Sequence, residues 1–346
     1  MAQRGLNPPP SGALLLADSA GGAFDRAADL AAVFERRGRA VRVLAADNTG
    51  AQSLRRHLLD AQPAALLHCF GDRAARTGCL ASLGTGIPVV VSLDCPPSGL
   101  TRAVLRRARF VIAASHDLAN RCGPETVLVI PNAVDTDRFR PGGEGRERVR
   151  SELGVAGAFA WLCGEDTASP REIEILLRAF ARSGGRADAI LVLAGWATQD
   201  SVRALADELG VAARVRFNPA AGIAELMAAA DAYVSPARVH CPVVELPRAA
   251  SSGLPVAATM SGGNSEAVLD GWSGFLAPPG SPEALGDVMD RIESMSAGER
   301  TRMGLAGRAY CMAVNGADHI ARRWEKLYLE SLPQSAPSHW LRANDA

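Results

Sequence analysis

An alternation of two patterns, run through twice, constrains this chain more than any other feature. Short apolar runs give way to stretches with helical spacing, and the cycle repeats almost from end to end. The first run, ALLLADS, ends in small residues and has the character of a buried parallel strand. Gly21 and Gly22 turn the chain into Phe24–Arg37, where Ala27, Leu30, Ala31, Val33 and Phe34 recur on one helical face. The series continues through AVRVLAAD, a helix around Ala51–Leu59, AALLHCF, a helix around Arg73–Leu83 and IPVVVSLD. A helix at Leu100–Arg107 and the strands FVIAAS and VLVIPNAV complete it. Strands that alternate with helices predict a parallel sheet covered on both faces.

The stretch RPGGEGRERVR, residues 140–150, breaks the pattern. It is charged and Gly-rich and shows no apolar period before Leu153, so it is expected to link two domains. A second series follows: FAWLCG, the helix Glu172–Arg182, AILVLAG, the helix Asp200–Leu209, ARVRFN and the helix Ile223–Ala230. AYVSP, a helical Val244–Ser251, LPVAAT, GFLAPP and the helix Pro282–Met295 come next, with Ser281 as an N-cap. An amphipathic helix over Ala317–Leu332 closes the chain. The expected fold class is therefore α/β, with two doubly wound Rossmann-like domains facing a cleft. The first covers residues 1–141 and is joined by the C-terminal helix, about 317–346; the second covers 142–316.

Composition narrows the function classes. Lys+Arg and Asp+Glu are both 37, and this balance argues against a nucleic-acid partner. The seven cysteines are scattered and form no CxxC pair, which speaks against a disulfide framework or a structural zinc. The N-terminus lacks the apolar region of a signal peptide, and no apolar run reaches membrane-spanning length, so the expected location is cytoplasmic. Arg102, Arg106, Arg107 and Arg109 leave peripheral membrane contact open beside the reading of a solvated helix face.

Several segments resemble the retaining glycosyltransferases of family four, the glycosyl transferases group one. IPNAVDTDRFRP at 130–141 is similar to their I-P-N-G-V-D…F-x-P. ADAYVSPARVHCPVVELPRAASSGLPVAA at 230–258 and SGGNSEAVLDGWSGFLAPPGSPEAL at 261–285 follow, and LLRAF and LVLAGW fall in order between them. The resemblance implies a GT-B fold and a nucleotide-sugar donor bound mainly to the second domain. It also implies a sugar, lipid or small-molecule acceptor on the first, and a closing helix that crosses back to it. No cofactor and no metal are expected, and there is no DxD motif in the relevant region.

Two small-residue turns suit close backbone approach to a phosphate or sugar. They are Gly21–Gly22 after the first strand, and Ser261 with Gly262, Gly263, Asn264, Ser265 and Glu266 after a later one. The family's paired glutamates, Glu-x7-Glu, fall at His240 and Arg248 here, with Glu245 offset between them. An arginine cannot accept hydrogen bonds from ribose hydroxyls, so the ribose contact is lost or remade, and Glu245 is a candidate to remake it. The family's phosphate-binding Arg and Lys align with Glu165 and Arg171. Arg171 can grip a phosphate bidentately, whereas Glu165 and Asp166 would repel it. Asp94 stands where the family often carries a histidine, which makes His240 and Asp94 the candidate catalytic residues. His68 is expected to be a hydrogen-bonded structural residue, and His116 a helix-start residue.

Two readings remain from the sequence. One is a metal-independent retaining glycosyltransferase with a modified donor pocket. The other is a GT-B protein that lost its chemistry and serves as a partner subunit or binding module. A Rossmann oxidoreductase is weaker, since no G-x-G-x-x-G follows either first strand.

Overall fold

The structure, a computed structural model, describes residues 12–19, 22–60, 66–123, 127–142, 145–164, 169–195, 200–218, 222–237 and 244–332. The chain divides into two compact units. Unit 1 takes residues up to Ala133 and from Ala317 onward, and unit 2 takes Val134–Gly316. The division falls eight residues ahead of the 141/142 boundary read from the sequence (141 − 133). Val134 and Phe139 belong to a buried cluster of unit 2, so the chain has already joined that core before the charged stretch begins.

Unit 1 is built on β1 (Ala13–Ala17), β2 (Val41–Ala45), β3 (Leu66–Phe70), β4 (Val89–Leu93), β5 (Phe110–Ala113) and β6 (Val127–Val129), all parallel, in the order β2-β1-β3-β4-β5-β6. Its helices are α1 (Ala23–Arg36), α2 (Ala51–Asp60), α3 (Asp72–Ala81), α4 (Gly99–Leu105), α5 (His116–Arg121) and the C-terminal α14 (Ala317–Ser331). β1, β3 and β4 are buried along their whole length, which is why they read as unbroken apolar runs. α1 and α14 pack together, with the Phe34 and Tyr328 rings 5.6 Å apart and Glu325 paired with Arg37 and Arg39 at 3.1 and 3.2 Å.

Unit 2 repeats the plan with β7 (Phe159–Cys163), β8 (Ala189–Ala194), β9 (Val215–Asn218), β10 (Ala232–Ser235), β11 (Val256–Thr259) and β12 (Gly274–Ala277), in the order β12-β11-β10-β7-β8-β9. Its helices are α6 (Arg146–Glu152), α7 (Pro170–Arg182), α8 (Asp200–Glu208), α9 (Ile223–Ala229), α10 (Glu245–Ser251), α11 (Asn264–Ala267), α12 (Pro282–Ser294) and α13 (Ala297–Asn315). The sequence reading needs two corrections here. Residues 146–150, the second half of the expected linker at 140–150, belong to α6. This helix is held by Arg146 and Arg150 on Asp231 at 2.6 and 3.0 Å and by buried Val149. α13, the longest helix among the described residues, has no counterpart among the helices expected from the sequence. Its buried face is Met303, Gly304, Gly307, Cys311 and Asn315, a stripe with little apolar periodicity.

In both sheets the strand order reverses beside the first strand, between β1 and β3 in unit 1 and between β7 and β10 in unit 2. Open α/β sheets place ligands just outside the carboxyl ends of strands at such a reversal. Among the described residues no helix is long and apolar enough to cross a membrane.

Candidate functional site

The reversal in unit 2 is occupied by three residues that hold one another. β7 ends at Cys163, and the next amide, Gly164 N–H, donates to the Tyr233 hydroxyl at 3.2 Å. That hydroxyl donates to Glu245 Oε2 at 2.6 Å. Glu245 is only 4% exposed, and its carboxylate lies so close to Gly164 that a Cβ there would overlap it. Gly164 is thus required by close approach, and the sequence puts a glycine where β7 must admit a carboxylate. The offset glutamate is therefore the one the fold brings to the strand end.

Arg248 lies one turn further along α10. It is buried, with its guanidinium 5.2 Å from the centroid of the Phe139 ring. Arg171 stands exposed on the first turn of α7, behind a capping box of Ser169 and Glu172 in which Ser169 N–H donates to Glu172 at 2.6 Å. An exposed guanidinium at a helix N-terminus is well disposed toward a diphosphate.

After β11 the small-residue loop is internally tied. The hydroxyls of Thr259 and Ser261 both donate to the Ala237 carbonyl, and Asn264 Nδ2 donates to Thr259 O at 3.0 Å. Gly262 has φ 51°, a left-handed value that a side chain would disfavour. Ser265 is exposed, Gly262 and Glu266 are half-buried, and Gly263 and Asn264 are buried. Tyr310 donates to Glu266 O at 2.9 Å from α13. α11, which this loop opens, packs against α10, the helix that Glu245 begins.

Unit 1 assembles a second set. Asp94, just past β4, is ion-paired with Arg26 of α1, whose side chain is 4% exposed, and Arg26 Nε also donates to Gly22 O at 3.4 Å. Gly22 and Asp94 are thus joined through a residue that the sequence reading passed over. The available signal was a charge on the apolar stripe of α1, one position before Ala27. Asp18, also unread, ends β1 and accepts from the amides of Arg73 and Ala74 at 3.0 and 2.7 Å, capping α3. Burial pushes its carboxyl above the usual range, against these two amide bonds.

His68 is fully buried, with both ring nitrogens paired, and His116 is exposed behind the Ser115 cap. His240, Gly21, Glu165 and Asp166 lie outside the described residues. Asp94 and the Glu245 cluster belong to different units.

The sequence of unit 2 matches the family described as glycosyl transferases group 1 over residues 162–294, a span that contains Gly164, Arg171, Tyr233, Glu245 and the whole 261–266 loop. The match to glycosyl transferases group 1 covers most of unit 2. The chain is 28% identical over 211 residues to a GDP-mannose-dependent alpha-(1-6)-phosphatidylinositol monomannoside mannosyltransferase of Mycolicibacterium smegmatis. That alignment covers 56% of this chain and 54% of the relative. It is also 34% identical over 201 residues to a D-inositol 3-phosphate glycosyltransferase of Actinosynnema mirum, covering 54% and 47% of the two chains. The chain spans about half the length of these curated relatives. Among solved structures, Anabaena Alr3699/HepE in complex with UDP-glucose superposes with a TM-score of 0.78 at 23% identity, covering 93% of this chain and all of that one. The fold is that of the GT-B glycosyltransferases.

Proposed function

We propose that this protein transfers a sugar from a nucleotide-sugar donor to an acceptor hydroxyl, with retention of configuration. The observation that carries the reading is the family match over residues 162–294, which contains both the Gly164–Tyr233–Glu245 cluster and the 261–266 loop. The donor's ribose hydroxyls would donate to Glu245, three residues ahead of the family position that Arg248 occupies. The loop amides and Arg171 would take the diphosphate, and His240 and Asp94 are the candidate catalytic residues. As the bond from the anomeric carbon to the diphosphate oxygen breaks, the diphosphate keeps the electron pair, and the acceptor oxygen bonds the sugar and passes its proton to the departing diphosphate. Stabilising the departing diphosphate supplies most of the barrier reduction, and with Arg171 in that role the reaction is metal-independent.

Unit 1 would bind the acceptor, a sugar, lipid or small molecule. The relatives' names point to an inositol phosphate or a phosphatidylinositol derivative as the first to try. Exposed Arg102, Arg106, Arg107 and Arg109, beside a Leu100 that is 75% exposed, would meet an anionic membrane surface from a cytoplasmic location. Release of nucleoside diphosphate from UDP-glucose or GDP-mannose in the presence of inositol 3-phosphate tests the reading. Release that requires acceptor supports it. No release with any donor, with or without acceptor, favours the second reading, a non-catalytic binding module, to which buried Arg248 at the family's glutamate position lends weight.

A further inference from the structure

A buried relay runs through unit 1 and ends at a pocket. Tyr328, on α14, places its hydroxyl 2.6 Å from His68 Nδ1, and His68 Nε2 lies 2.8 Å from Ser92 Oγ. All three residues are buried, and the imidazole is packed between Phe70 and Trp324, with ring centroids 4.0 and 4.6 Å away. Ser92 lines a small cavity of about 20 Å³ together with Arg26, Asn132 and Trp324, room for one water or one hydroxyl group. Asp94 follows Ser92 by two residues, just past the end of β4. Asp94 stands in the bend that follows the strand, and its ion-pair partner Arg26 lines the same cavity as Ser92.

The chemistry of the three groups sets the direction of the protons. Burial, and then the nearby Arg26 charge, push the His68 pKa well down, so the ring is neutral and carries a single N–H. One nitrogen must then accept and the other donate. A phenol is a much stronger acid than an alkyl hydroxyl and therefore the better donor to an imidazole nitrogen. Tyr328 O–H thus donates to Nδ1, and Nε2–H donates to Ser92 Oγ. With its oxygen lone pair used by His68, Ser92 has its own proton free to turn into the cavity.

We infer that Tyr328 and His68 are positioning residues that hold the Ser92 hydroxyl as a hydrogen-bond donor to an oxygen of the bound acceptor. The inference rests on the transferase reading. It assigns to α14, which reaches unit 1 from the far end of the chain, a part in acceptor binding as well as in packing.

The test joins acceptor kinetics with a direct reading of the ring. With UDP-glucose or GDP-mannose as donor and inositol 3-phosphate as acceptor, Ser92→Ala is expected to raise the acceptor KM about three- to tenfold, with kcat and donor KM within about twofold. His68→Gln keeps an N–H near the Nε2 position, and His68→Asn keeps one near Nδ1 only. Both lose the same ring packing, so a merely structural role would shift both alike. The relay instead requires the Gln variant to retain a KM near that of wild type while the Asn variant matches Ser92→Ala. Nitrogen-15 NMR of wild-type protein, with the His68 signal assigned by its loss in His68→Asn, is expected to show protonation at Nε2. Protonation at Nδ1, or an unchanged acceptor KM in Ser92→Ala, overturns the inference while the transferase reading stands. A wild-type protein that transfers to no acceptor overturns the reading itself, and that failure is seen before any variant is made.

Discussion

The Tyr233 hydroxyl lies 2.6 Å from Glu245 Oε2 and 3.2 Å from the Gly164 amide, so one phenol joins the end of β7 to the start of α10. Tyr233 is buried in the strand beside the sheet reversal. It donates a hydrogen bond to a nearly buried carboxylate that sits where ligands of such sheets are received, and accepts one from the Gly164 amide.

Removing that phenol oxygen leaves both partners wanting. Tyr233→Phe is expected to destabilise the protein by about 1–3 kcal/mol, the cost of unsatisfied buried groups. Gly164→Ala is expected to expel the Glu245 carboxylate, since its new Cβ overlaps that group. The two variants should share a loss of nucleotide affinity with Glu245→Ala. Thermal unfolding and calorimetric titration of UDP and GDP check both effects, and full affinity in Gly164→Ala would remove Glu245 from the donor site.

The Arg26–Asp94 pair is largely buried, with side chains 4% and 14% exposed. Truncating one member of such a pair typically costs about 3–5 kcal/mol, because the other charge is left without its counterion. Arg26→Ala is expected to fall in the lower part of that range, as Asp94 retains some solvent. The double variant Arg26→Ala/Asp94→Ala should cost less than the two single changes added together. Additive losses in urea unfolding would show that the two residues act independently.

α13 packs through glycine. A Cβ on Gly304 would run into the Gly253 carbonyl, whereas one on Gly307 would meet the Ser273 Cβ at 3.3 Å, where a small shift suffices. Gly304→Ala is therefore expected to destabilise by about 1–3 kcal/mol or more, and Gly307→Ala by clearly less. Equal melting temperatures for the two would contradict the close helix contact.

This same contact explains what the sequence concealed. α1, α7 and α12 were legible because leucines, isoleucines and valines recur at helical spacing on one face. α13 buries glycines, a cysteine and an asparagine, so its inward face carries no hydrophobic signature to find. α6 has Val149 as its buried residue and is anchored by arginines on Asp231 and on carbonyls, which made it look like a solvated linker. The site divides in the same way. The 261–266 loop and the offset of Glu245 could be read from residue order. The pairing of Glu245 with Tyr233 and of Asp94 with Arg26 could not, because each joins residues on separate elements that only the folded chain brings together.

His68 also makes stability depend on pH. Its folded pKa lies well below the usual 6.5 because burial disfavours the charged ring. The unfolded chain therefore takes up a proton near pH 6.5 that the folded ring refuses. The stability this residue contributes is present above that pH and is lost as pH falls below it, by up to about 1.4 kcal/mol per pH unit until the folded ring also titrates. His68→Gln should flatten the stability profile below pH 6.5 by the equivalent of one proton. An unchanged slope in urea unfolding at pH 5–7 would show that the ring is already charged in the folded protein.

Calorimetric titration of the intact protein with UDP, GDP and ADP, beside the Arg171→Ala variant, bears most directly on whether unit 2 receives a nucleotide sugar. Saturable binding of at least one of these nucleoside diphosphates is expected, weakened about tenfold or more when the Arg171 guanidinium is removed. The absence of heat with all three, or binding that Arg171→Ala leaves untouched, would contradict a diphosphate held at the first turn of α7.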